Sequence, residues 1–238
     1  INWPQGIYLG GMTSSNICVV YDLGTVDYPR ALELQQCLAL ARLEGKAPNT
    51  LLLLEHPSVV TVGRSGSMDE VAASVDSLAR NSIAVLPTDR GGRVTYHGPG
   101  QLVAYPIIDL GQRAMTVTDY VRGLEQTVID LLASWGIAAG RSTGYPGVWV
   151  EEEKICSLGV HISRRITRHG FALNVDPDLG HFGLIRPCGI TDRGVTSMAR
   201  LLGRRVEIRE VKGSLKVCFS RTFGLNLQER DLEGLWPI

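Results

Sequence analysis

Apolar residues recur at steps of three and four between Ala31 and Ala41 and again between Val117 and Trp135, which makes these stretches the clearest helices in the chain. The first spans 27–44, with Asp27 placed to cap it, Pro29 in its first turn and Gly45 beyond its end. In the second, Val117, Val121, Leu124, Val128, Leu131 and Trp135 alternate until Gly136 stops the helix. Each offers one apolar face, so each should pack on a sheet. Short apolar or alternating runs at 17–21, 51–54, 59–62, 83–86, 102–108, 148–150, 155–162 and 171–175 supply the strands. Glu151, Glu152 and Glu153 lie between two such runs and read as a hairpin turn. Toward the end, 196–202 and 210–223 look helical with a strand at 205–208 between them. Strands clustered in the middle, rather than alternating strictly with helices, predict a mixed sheet with flanking helices, an α/β or α+β domain, over a doubly wound dinucleotide fold.

No repeat, low-complexity tract or linker divides the chain, so 1–238 reads as one domain, with 1–11 an extension ahead of it and 225–238 a flexible tail. The 24 basic and 24 acidic side chains cancel, which removes any global field for nucleic acid or a membrane surface and leaves only local electrostatic sites. The longest apolar runs fall far short of the roughly 18 residues that cross a bilayer. Nothing at the N-terminus reads as a targeting signal, and Met12 is a candidate start behind the recorded Ile1. Five cysteines without a C-x-x-C pair argue for a reducing compartment, the cytosol.

Generic catalytic signatures fail on context. Gly140-Arg141-Ser142-Thr143-Gly144 spells a nucleophile elbow, but Tyr145-Pro146-Gly147 follows where the elbow needs a helix. There is no phosphate-binding G-x-x-x-x-G-K-[ST], and the histidines at 56, 97, 161, 169 and 181 lack the spacing of a zinc site. The informative run is Arg90 to Gln101, where Gly91-Gly92 lets backbone approach a ligand and Gly98-Pro99-Gly100 fixes a turn beside His97. A glycine-rich hairpin with ordinary turn residues would have the same composition.

Together with four further segments, that run resembles the octanoyltransferases of protein lipoylation, the lipoate-protein ligase B family. The segments are RGGRVTYHGPGQLVAYP at 90–106, GVWV at 147–150, KICSLGVHISRRITRHGFALNV at 154–175, PCGI at 187–190 and GVTSM at 194–198. The resemblance implies the fold of the biotin and lipoate protein ligases, a mixed sheet with flanking helices around an acyl tunnel. It also implies transfer of octanoyl from acyl carrier protein to a lysine of lipoyl domains, through a cysteine thioester and without cofactor or metal. The acceptors implied are the lipoyl domains of 2-oxoacid dehydrogenase complexes and the glycine cleavage H protein.

By the same resemblance the nucleophile is Cys188 of the P-C-G motif and its activating group is Lys154. A free thiol has a pKa near ~8.5, so a neighbouring ammonium is the simplest way to populate thiolate, and a lysine in a desolvated cleft can also take and return a proton. Cys18, Cys37 and Cys218 lie in apolar runs and read as small buried hydrophobes. Cys156 is the rival nucleophile, but on a regular strand it would share a face with Lys154 about 6.6 Å away, beyond hydrogen-bond reach. The acyl site maps onto Arg90, Gly91, Gly92, Arg93, Val94, Thr95, Tyr96 and His97, then Ser157, Leu158 and Gly159, then Gly170, Phe171 and Ala172. The small residues suit a narrow apolar tunnel, although close strand packing would select them too. His97 either donates near the thioester or braces the Lys154 loop, and bracing is the preferred reading. Arg164, Arg165, Arg168 and His169 form a basic stretch to which an acidic carrier could dock, or a solvated loop. The alternative enzyme is an ATP-dependent lipoate ligase of the same fold, whose histidine segment continues with an acidic residue where this chain has Gly98-Pro99-Gly100.

Overall fold

The computed structural model describes residues 16–185, 193–232 and 235. Its larger sheet is built around two strands with no polar face, β2 (Asn49–Glu55) and β6 (Gln101–Ile107), buried along nearly their whole length. Alternation divides each between two cores. Leu51, Leu53, Leu102 and Ala104 face one side, while Leu52, Leu54, Val103 and Tyr105 face the other. A sheet covered on both faces requires uninterrupted apolar strands, and these supply them.

With β1 (Ile17–Thr25), β7 (Gly140–Ser142), β8 (Tyr145–Val150), β9 (Glu153–Ser163), β10 (Ile166–Asn174) and β12 (Asn226–Arg230), the order is β12-β1-β2-β6-β10-β9-β8-β7. The first two pairings are parallel and the rest antiparallel, so the sheet is mixed as expected. A short β11 (Gly194–Val195) pairs with β9 in parallel. Helix α1 (Tyr28–Leu43) covers one face through Ala31, Leu34 and Leu38. Helices α3 (Val117–Ser134) and α5 (Ile208–Phe223) cover the other with Leu124, Val128, Leu131, Leu215 and Phe219. A second sheet, β4 (Ala84–Pro87), β3 (Val59–Val62) and β5 (Val94–His97), closes on a smaller core with Tyr96, Phe182 and Ile185. A helical turn α2 (Val75–Arg80) precedes β4, and α4 (Met198–Leu202) follows β11. Among the described residues, no helix is long and apolar enough to cross a membrane.

Several local expectations change. Asp27 occupies the N-cap of α1, but its side chain makes no capping bond. Thr116 instead builds a full capping box with Asp119 at the start of α3. Residues 205–208 form no strand, because Val206 is a buried anchor in a connection and Ile208 already opens α5. Part of the expected tail is structured: Asn226–Arg230 pairs along β1 as the edge strand. Cys18 and Cys218 are buried, whereas Cys37 is only partly so.

Candidate active site

Strands β9 and β10 and the segment leading into β5 enclose a cavity of about 310 Å³. Its narrowness follows from the missing side chains. Gly91 donates its N–H to Val160 O at 2.9 Å, so the loop lies directly on β9, and a Cβ on Gly159 would meet Gly91 O at 2.9 Å and Arg90 Cδ at 3.1 Å. Gly170 is glycine for a different reason: its Cβ would stand 2.2 Å from Ala104 O on the neighbouring β6. The close strand packing weighed in the sequence therefore explains Gly170 outright. Arg90 is buried and fastens the loop to β3 of the second sheet, donating to Thr61 O at 2.7 Å and to Thr61 Oγ1 at 2.8 and 3.2 Å. Arg93 sits at the rim, half exposed, on Glu70 at 2.9 Å.

Of the residues expected around an acyl chain, Arg90 to Thr95, His97, Ser157 to Gly159 and Gly170 to Ala172 line this one cavity. Tyr96 does not. The alternation of β5 turns it into the small core, where its hydroxyl meets Ser58 at 3.0 Å and His181 at 2.8 Å behind Gly98.

Lys154 lines the same cavity, and an irregularity in β9 puts it there. Val148 opposes Cys156, yet the next residue, Trp149, opposes Lys154, so β9 carries an extra residue between them. The expected shared face is thereby broken. Cys156 is fully buried in the main core, where burial pushes its thiol strongly up despite Lys154, while Lys154 turns toward the cavity. Its ammonium lies 4.8 Å from the centre of the Trp149 ring, and its carbonyl accepts from Thr196 N–H at 3.0 Å. Gly147 leaves space for the stem, since a Cβ there would touch Lys154 Cε at 3.3 Å. Arg193 stacks on Tyr145 at 4.5 Å and reaches Trp149 at 5.3 Å, so two cations share one indole at the cavity edge. Cys188 lies outside the described residues. The chain on either side of that segment reaches the cavity, through Phe182 before it and Arg193 to Val195 after it.

A polar wall was not expected. His97, Tyr105 and His169 all line the cavity, with His56 behind them bonded to Tyr105 Oη at 2.8 Å and Val26 O at 2.6 Å. Burial holds His56 and His169 at about 4 and His97 well below its ordinary value, so all three are neutral at pH 7. His169 faces Asp89 at 2.7 Å. Partial burial opposes ionisation of Asp89, but hydrogen bonds from His169 and Arg168 outweigh it and bring the carboxyl down to about 2. Among the described residues His97 bonds to Gln101 rather than to the Lys154 loop, and it is linked to that loop through the relay Gln101, Asn174 and the Thr196 backbone. Arg168 and His169 are spent on Asp89 and are largely buried, which removes two members of the basic stretch from a free docking surface, whereas Arg165 stays exposed while donating to Leu110 O and Met115 O at 3.1 Å. Tyr105, Trp149 and His169 all fell inside the motif segments. Arg193 stands one position before the last of them.

The family described as the lipoyl protein ligase A/B catalytic domain matches residues 27–220. An octanoyltransferase of Solibacter usitatus is 51% identical over 210 residues, covering 88% of this chain and 94% of the relative. One of Chloroflexus aggregans is 49% identical over 209 residues, covering 87% and 95%. Among solved structures, lipoate-protein ligase A bound with ATP superposes with a TM-score of 0.73 at 19% identity, over 92% of this chain and 90% of the other. The biotin protein ligase of Aquifex aeolicus in complex with biotin and ATP gives 0.53 at 14% identity, over 87% and 70%. At those identities the likeness is one of fold, and it is the fold expected.

Proposed function

The chain belongs to the lipoyl protein ligase A/B catalytic domain family, and from that premise we propose that it moves octanoyl from its thioester on acyl carrier protein to a lysine of a lipoyl domain, through a thioester on Cys188. It is an acyltransferase, in keeping with its relatives' names. The observation that carries the finer reading is the placement of Lys154 on an apolar, glycine-narrowed cavity whose edge is formed by the chain flanking residues 186–192.

In this reading the Lys154 ammonium favours the Cys188 thiolate, which attacks the carrier thioester carbonyl. The carrier thiolate leaves and takes its proton from the Lys154 ammonium, which leaves Lys154 neutral, and the acyl chain lies along Ser157 to Gly159 and Ala172. The acceptor amine then attacks the acyl-enzyme, gives its proton to Lys154, and Cys188 departs as thiolate. The thioester exchange is nearly balanced, and amide formation is downhill, so no nucleotide enters.

The test sets octanoyl acyl carrier protein plus apo lipoyl domain, with nucleotide removed by apyrase, against free octanoate plus ATP and magnesium. Product from the first mixture is expected. Product from the second alone would make the chain an ATP-dependent ligase.

A further inference from the structure

The wall formed by His97, Tyr105 and His169 has a hydrogen-bonding polarity that its neighbours fix atom by atom. Gln101 Nε2 donates to Tyr96 O at 3.2 Å and to Asn174 Oδ1 at 3.0 Å, and Asn174 Nδ2 donates to Thr196 O at 3.0 Å. Two backbone carbonyls thus set the orientation of both amides. Gln101 must then present Oε1, a pure acceptor, to His97 Nδ1 at 3.2 Å, so Nδ1 carries the proton and Nε2 is a lone pair. The same logic runs through His56. Its Nδ1 donates to Val26 O, its Nε2 accepts from the Tyr105 hydroxyl, and the Tyr105 oxygen keeps only accepting capacity. His169 Nε2 donates to the Asp89 carboxylate, which leaves Nδ1 a lone pair.

His97 Nε2 and His169 Nδ1 are buried, and no described protein group hydrogen-bonds either one. The residues are 6% and 1% exposed, so bulk water does not satisfy them. Protonation does not relieve them, because burial and the nearby Arg90 charge oppose it at both. A buried acceptor without a donor is costly, and two residues of the cavity lining carry one each, with Tyr105 also in that lining.

We infer that this wall is a subsite for an uncharged O–H donor, supplied by a hydroxyl on the acyl chain in the cavity or by a water held there when the chain is a plain hydrocarbon. An ammonium would lie close to Arg90 and is disfavoured. The acyl source of the hydroxyl rests on the transfer reading above, whereas the donor subsite itself does not. The consequence is that the cavity admits medium-length chains bearing a hydroxyl, which a wholly apolar tunnel would reject by about tenfold to a hundredfold for burying an unpaired hydroxyl.

The experiment is nitrogen NMR of the full chain with ring-labelled histidine, recorded alone, with octanoate, and with octanoate hydroxylated at its terminal carbon or one or two carbons nearer the carboxylate. Calorimetry on the same samples gives the affinities. The bare nitrogens of His97 and His169 are expected to show the shift of a hydrogen-bonded lone pair, with at least one hydroxylated acid binding within about threefold of octanoate. A shift already present with octanoate assigns the donor to water, and one confined to a hydroxylated acid assigns it to the chain. Unbonded lone pairs in every sample would overturn the inference. Neither readout involves acyl transfer, so this result and the fate of the transferase reading remain distinguishable.

Discussion

Lys154 and His169 stand on one cavity, yet they hold opposite kinds of electrostatics. His169 pairs across the sheet with Val160, six positions along β9 from Lys154, so the two mark different ends of the cavity. At the Lys154 end two cations share the Trp149 indole, whose π face attracts both. At the His169 end three histidines are packed among Tyr28, Tyr105 and one another, and burial strips the charge from each. The difference teaches how one pocket can serve two tasks: a charged end suited to activating a thiol, and a neutral end suited to holding an uncharged chain.

Removing the cation should break the comparison most severely. Lys154→Ala is expected to slow acyl transfer by about a hundredfold to ten-thousandfold, the range of a lost general acid or base, and to move the pH midpoint of Cys188 alkylation upward. Lys154→Arg keeps the charge without an accessible neutral form, so it should retain the alkylation midpoint yet remain slow in transfer. An unchanged alkylation profile in Lys154→Ala would contradict the ion-pair role.

The neutral end gives the next effect, in stability. His56 and His169 have folded values of about 4 against 6.5 when unfolded, so their contribution is complete above pH 6.5 and is lost as pH falls toward 4, each worth at most about 3 kcal/mol. Asp89, lowered to about 2, loses its contribution only at more acid pH, so the two windows separate. Denaturation midpoints between pH 7 and 4 should fall in the wild type and fall less in His56→Gln. Equal slopes would remove burial of neutral His56 as the cause.

Between the two ends, Gly159→Ala would press a methyl to 2.9 Å from Gly91 O. A destabilisation of about 1–3 kcal/mol is expected, with a rise in KM for octanoyl carrier exceeding that for a shorter acyl group. Smallest of all is Arg93→Ala at the rim, where a half-exposed pair with Glu70 should cost under about 1 kcal/mol by denaturant titration.

How far the sequence could be read depends on which physical signal each part carries. Helices α1 and α3 were legible because their apolar faces repeat with the helical period. Strand β12, with the sequence Asn-Leu-Gln-Glu-Arg, was not, because an edge strand is held by backbone pairing and needs no apolar alternation. The false strand at 205–208 came from the opposite accident, two buried anchors spaced like a strand. Motif matching marked out the cavity, but it could not say that Tyr96 turns away from it. Nor could it show an extra residue in β9, which separates Lys154 from Cys156. The polar wall unites positions 56, 97, 105 and 169, and no local pattern predicts that these rings converge.

The most direct measurement is the mass of the intact protein after exposure to octanoyl acyl carrier protein without nucleotide, followed by peptide mapping. One octanoyl adduct is expected, labile to hydroxylamine and located on Cys188, absent from Cys188→Ala together with all product. An adduct on Cys156, or full transfer by Cys188→Ala, would contradict the thioester on Cys188.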